Sequence, residues 1–218
     1  MSDKPTHLVF TGEAGKIDCA IDWPAQAPRG WALVLHPHPL HGGARGNKVV
    51  TTIARACVQE GLVAVRPDFR GVGASEGSFD NAQGETADMV ALVSQWREQF
   101  PELAQTPWVL AGFSFGTAVA AQLHAELQDA GAGVMPSAVI LAGPAVKRFL
   151  FRTVSLPSDT LLIHGEVDEV VPLEEAQTWA SENDLDVVVV PEASHFFHGK
   201  LIELKDLVLA RLVGSLPD

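Results

Sequence analysis

Basic residues are scarce in this chain. Fifteen Lys and Arg stand against 27 Asp and Glu in 218 residues, a formal net charge of −12. A surface that grips nucleic-acid phosphates or an anionic membrane needs clustered Lys and Arg, so this balance argues against both partners. Cysteine is scarcer still. Cys19 and Cys57 each fall in an apolar-periodic segment, and neither belongs to a Cys-x-x-Cys pair. That excludes a disulfide framework and reads as two small buried hydrophobes. No apolar run is long enough to span a membrane, and residues 1–6 carry no apolar core of an export signal. The default compartment is then the cytoplasm. Internal repeats, low-complexity tracts and linkers are also missing, so a single domain over residues 1–218 is expected.

What is present is an ordinary folding composition, 47% apolar and 19% charged, enough for a large core. Short apolar runs at 31–36, 62–66, 107–112, 137–142, 160–164 and 186–190 read as strands buried on both faces. Helical spacing separates them, at 47–60, 85–99, 117–129, 173–183 and 201–213. Two earlier strands, 6–10 and 16–23, lie around Gly12 and Gly15 and should pair antiparallel. In the second, Ile17, Cys19, Ile21 and Trp23 alternate with polar or small residues, which predicts one open face. Strands alternating with helices imply an α/β fold, a mostly parallel eight-stranded sheet flanked by helices.

The sharpest local signal is Val109 to Gly116, an apolar strand running into Gly112-Phe113-Ser114-Phe115-Gly116 with a small-residue helix behind it. In that context Gly-x-Ser-x-Gly describes a nucleophile elbow, a tight turn that lifts a serine hydroxyl off the sheet. A serine hydroxyl needs a base to take its proton, and the base needs a carboxylate to fix its tautomer. In an α/β sheet both should lie just past the carboxyl ends of strands. Asp168 follows the 160–164 strand and His195 follows the 186–190 strand, giving the order Ser114, Asp168, His195. Glu166 and Glu169 flank Asp168, and His198 lies close to His195, as rivals for the two roles.

Several stretches together resemble the α/β-hydrolases over almost the full chain. They are His36-Pro37-His38-Pro39, Asp68-Phe69-Arg70-Gly71-Val72-Gly73-Ala74-Ser75, the elbow at Ser114, His164-Gly165-x-x-Asp168-x-x-Val171-Pro172 and Ala193-Ser194-His195-Phe196. The chain is similar in particular to small bacterial esterase-like and dienelactone-hydrolase-like members. It departs from the latter in having serine, not cysteine, as nucleophile, so their activity is not carried over. The resemblance implies a catalytic role for Ser114, Asp168 and His195, and favours the last two over their rivals.

An oxyanion hole needs two backbone N–H donors. One is normally supplied by the residue after the nucleophile, here Phe115. The other should come from residues 37–43, where Pro37 and Pro39 have no N–H. His38 and Leu40 remain, and matching to the family pattern favours His38. Although His36, His38 and His41 lie close together, two prolines and the lack of a nearby carboxylate or cysteine argue against a metal site. The 71–77 loop fails the dinucleotide fingerprint because Glu76 stands where glycine is required. Asp68 and Arg70 read as loop braces.

The expectation is ester hydrolysis through an acyl-enzyme, with a small-molecule acyl substrate and no cofactor. Between the strands at 137–142 and 160–164 there is room for a short helix, not a cap domain. The site should therefore be open, with Leu40, Phe113, Phe149 and Phe196 as candidates to line an acyl pocket. A thioesterase or peptidase on the same residues, or a non-catalytic binding protein of the same fold, are the rival classes.

Overall fold

A computed structural model describes residues 5–131 and 133–216. The first strands, β1 (Thr6–Gly12) and β2 (Gly15–Asp22), form the expected antiparallel hairpin. Six strands follow: β3 (Gly30–Leu35), β4 (Leu62–Pro67), β5 (Trp108–Phe113), β6 (Ala138–Ala142), β7 (Leu161–Gly165) and β8 (Val187–Val190). They complete one eight-stranded sheet in the order β1-β2-β4-β3-β5-β6-β7-β8. From β4 through β8 every neighbouring pair is parallel. Parallel neighbours need crossovers; four of the five helices supply them, the β6–β7 connection has only a short turn, and the fifth helix follows β8.

These helices are α1 (Lys48–Gln59), α2 (Gln83–Gln99), α3 (Phe115–Asp129), α4 (Leu173–Glu182) and α5 (Leu201–Val213). The Asn47 side chain caps α1 by accepting the Val49 N–H at 2.8 Å, satisfying a donor the helix cannot pair itself. On one face of the sheet, Trp31, Leu33 and Leu35 meet Met89, Trp96, Val119, Leu123 and Trp179 from α2, α3 and α4. On the other face, Ala32 and Val34 meet Ile53, Leu204 and Val208 from α1 and α5. Strand side chains alternate in direction, so a run with no polar interruption is what two covered faces require.

The reading of β2 is corrected. Its second face is closed at the centre, where Asp18 and Ala20 are buried, and open only toward the ends, at Lys16 and Asp22. Polar partners do the covering: Asp18 pairs with Arg45 at 2.6 Å, and its N–H donates to Ser75 Oγ at 2.9 Å. Trp23 lies beyond the strand, edge-on to Phe100. Both cysteines are free and fully buried. Between β6 and β7 there is only a single 3-10 turn, Val146–Arg148, and no cap domain. Among the described residues no helix is long and apolar enough to cross a membrane.

Candidate active site

The elbow is a close approach of three backbones. A Cβ on Gly112 would lie 2.3 Å from the Gly116 carbonyl oxygen, and one on Gly116 would lie 2.6 Å from that of Leu35. Only glycine fits at either position, and the residue between them takes the bend. Ser114 has φ +54° and ψ −120°, a conformation L-residues rarely adopt. The surroundings hold it there. Its N–H donates to the Ala142 oxygen at 2.9 Å, and the Thr117 hydroxyl donates to the Ser114 oxygen at 2.5 Å. Thr117 Oγ1 also accepts the Ala145 N–H at 3.0 Å, which ties the start of α3 to the loop after β6.

Ser114 Oγ lies 2.9 Å from His195 Nε2, and His195 Nδ1 lies 2.6 Å from Asp168 Oδ2. Residues 81 and 27 positions apart thus form one chain of hydrogen bonds at the carboxyl ends of β5, β7 and β8. Asp168 Oδ1 accepts the N–H groups of Val170 at 2.8 Å and Val171 at 2.7 Å. Burial alone would raise this carboxyl's pKa. The hydrogen bond and charge of His195, with the two N–H donors, outweigh it and hold the group below the usual carboxylate range. An ionised Asp168 accepts a hydrogen bond from Nδ1–H, which leaves His195 Nε2 as an acceptor facing the serine.

The rival groups stand elsewhere. Glu169 accepts the backbone N–H of His195 at 3.2 Å, and Glu166 accepts that of Glu192 at 2.9 Å, so both brace the loop after β8. His198 is exposed beside Phe196.

The loop after β3 is a compact turn. His38 Nδ1 accepts the Leu40 N–H at 3.2 Å, and the His38 oxygen accepts the N–H groups of His41 at 3.1 Å and Gly43 at 3.0 Å. The Leu40 donor is thereby engaged. The N–H groups of His38 and Phe115 have no partner among the described residues. His36 is fully buried below this turn. Its Nδ1 donates to the Pro37 oxygen at 2.6 Å while Nε2 accepts the Phe69 N–H at 2.9 Å, so both ring nitrogens are committed to backbone.

Of the expected pocket residues, Leu40 is 70% exposed and Phe196 is 37% exposed at the rim. Phe149 is half-buried against Phe115. Phe113 reaches no solvent: it is fully buried and its ring packs under His195, 5.1 Å between centroids. Asp68 and Arg70 are braces, Asp68 to Arg45 and Arg70 through two 2.8 Å bonds to Asp88.

Sequence reasoning missed three supports. His164 is fully buried with Nε2 at 2.9 Å from the Val171 oxygen and 3.4 Å from Asp168 Oδ2. Gly143 lies so close to the His195 ring that a Cβ there would meet Cε1 at 3.2 Å. Phe79, from the loop after β4, packs on both His38 and Phe115. His164 alone had a legible signal, its place in the motif that contains Asp168.

A family model described as serine aminopeptidase, S33, matches residues 38–155. The chain is 34% identical to an α/β serine hydrolase without lid from Xanthomonas campestris, with a TM-score of 0.88 over 100% of this chain and 98% of that one. It is 33% identical to an α/β serine hydrolase homologue from Coxiella burnetii, with a TM-score of 0.81 over 97% and 99% of the two chains. An uncharacterized protein of Rickettsia prowazekii (strain Madrid E) is 29% identical over 93% of this chain and 86% of its own length.

Proposed function

The chain belongs to the α/β serine hydrolases, in the family described as serine aminopeptidase, S33, and from that membership we propose that it hydrolyses carboxylic esters of small or accessible acyl groups. The observation that carries this reading is the hydrogen-bonded chain from Ser114 Oγ through His195 to Asp168, in a site without a cap.

In this reading His195 Nε2 takes the Ser114 proton as Oγ bonds to the acyl carbonyl carbon. The N–H groups of Phe115 and His38 hold the oxyanion. The carbon–oxygen bond to the alcohol then breaks, and the alcohol leaves with the proton from His195. Water gives its proton to the same nitrogen as it attacks the acyl carbon, and Ser114 departs with that proton. Asp168 keeps the imidazole in the required tautomer throughout. The partner is a small-molecule acyl ester.

A fluorophosphonate probe should label Ser114, and p-nitrophenyl acetate should be hydrolysed. Ser114→Ala should lose both while keeping the circular dichroism of the folded protein. Turnover retained in that variant would overturn the assignment. The family's description as aminopeptidases supports a second reading, cleavage of a peptide bond by the same groups. An aminoacyl p-nitroanilide run beside the ester separates the two.

A further inference from the structure

We propose that the acyl side of this site is built for a flat aromatic group, so that aryl-acyl esters are preferred over alkyl esters of equal bulk. The inference rests on the ester-hydrolase reading and names its substrate class.

Rings from three loops and from the first residue of α3 meet at the elbow. The His38 ring lies 4.7 Å from Phe79, 5.2 Å from Phe115 and 5.4 Å from Phe149, measured between centroids. Phe115 lies 5.4 Å from Phe79 and 5.0 Å from Phe149. These separations fall in the range where tilted and edge-to-face aromatic pairs attract. Phe115 is fully buried and forms the base, whereas His38, Phe79 and Phe149 are half-buried and keep ring surface toward solvent. A core cluster would close over its own rings. This one leaves three of them partly open, on loops after β3, β4 and β6 that carry no cap.

The location decides which half of an ester meets this wall. Its two central rings belong to His38 and Phe115, the residues whose N–H groups hold the carbonyl oxygen in the proposed mechanism. His195, which must reach the leaving-group oxygen, packs instead on Phe113 at 5.1 Å and Phe196 at 5.1 Å. The leaving group therefore faces Phe196, and the acyl group runs along His38, Phe79 and Phe149. A planar ring laid there extends an existing aromatic array. A puckered saturated ring of similar size buries comparable area but lacks the quadrupole that favours tilted contact.

The test compares methyl 3-phenylpropanoate with methyl 3-cyclohexylpropanoate by proton release at constant pH. The pair shares one leaving group, one linker and similar bulk, and an aromatic leaving group is avoided. The wild-type kcat/KM ratio should favour the phenyl ester about three- to tenfold. Phe79→Leu and Phe149→Leu, which keep apolar bulk, should each cut that ratio roughly two- to fivefold. Using a ratio cancels any loss of folded protein. A wild-type ratio of one or less overturns the inference, as does a ratio unchanged in both variants, and either result leaves ester hydrolysis standing. If neither methyl ester nor p-nitrophenyl acetate turns over, the hydrolase reading fails and the inference falls with it.

Discussion

The ring of His36 holds the backbone N–H of Phe69 at 2.9 Å and so joins the loop after β3 to the loop after β4. The bond needs a neutral imidazole with its proton on Nδ1, where Pro37 takes it. Burial is the main cause that lowers the His36 pKa from the ordinary 6.5 to about 4; the Pro37 hydrogen bond opposes the shift and the Arg45 charge adds to it. A folded pKa below the unfolded one means that the unfolded chain takes the proton first. The stability contribution is complete above the ordinary value of 6.5 and is lost as pH falls toward about 4. Its size is about 3 kcal/mol. Urea midpoints should fall over this window, and His36→Gln should show a shallower decline, though a lower midpoint at neutral pH. His164 and His124 are pushed the same way by burial, so part of the decline remains. An equal or steeper decline in the variant would contradict the assignment.

Asp168→Asn should lower kcat on the order of 10⁴-fold with little change in fold. The two N–H groups from Val170 and Val171 converge on Oδ1. They select the amide oxygen of asparagine for that place, which turns the amide NH₂ toward His195 Nδ1. The imidazole then carries its proton on Nε2 and cannot accept from Ser114. Steady-state kinetics on p-nitrophenyl acetate check this, and a loss below tenfold would count against it.

Gly112→Ala should melt about 2–12 °C lower, since overpacking costs about 1–3 kcal/mol. The atom it would strike, 2.3 Å away, is the backbone oxygen of Gly116, held inside the elbow. No side-chain rotation relieves that contact. A scanning-calorimetry melt within a degree of wild type would mean that the elbow is looser than this packing.

Arg70→Lys should destabilise the protein by about 2 kcal/mol without raising KM. Asp88 is buried and takes two 2.8 Å bonds from the guanidinium, a geometry one ammonium cannot reproduce. A several-fold rise in KM with unchanged melting would instead make Arg70 a substrate contact.

Much of this was legible in the residues because it is local. Apolar runs marked the eight strands, and helical spacing marked the five helices. Gly112 and Gly116 announced a close approach around Ser114. Chain order and strand-end positions brought out Asp168 and His195, although His195 lies 81 positions from Ser114. The β2 strand was misread because pattern sees only one strand at a time. Asp18 counts as polar and hence exposed until Arg45 and Ser75 arrive from other parts of the chain.

The amino-acid order by itself determined the strand-and-helix alternation, the strained turn and the inventory of serine, histidine and carboxylate, since each depends on sterics and periodicity within a few residues. Only tertiary structure decided the choice among equals. Folding put Asp168 on His195 Nδ1 and gave Glu166 and Glu169 to loop N–H groups. It engaged the Leu40 N–H with the His38 ring and left that of His38 unpaired among the described residues. It buried Phe113 beneath His195 and set Phe79 against His38 and Phe115. Hydrogen bonds reach about 3 Å, so which of several like groups makes one is settled only when distant segments are packed to that distance.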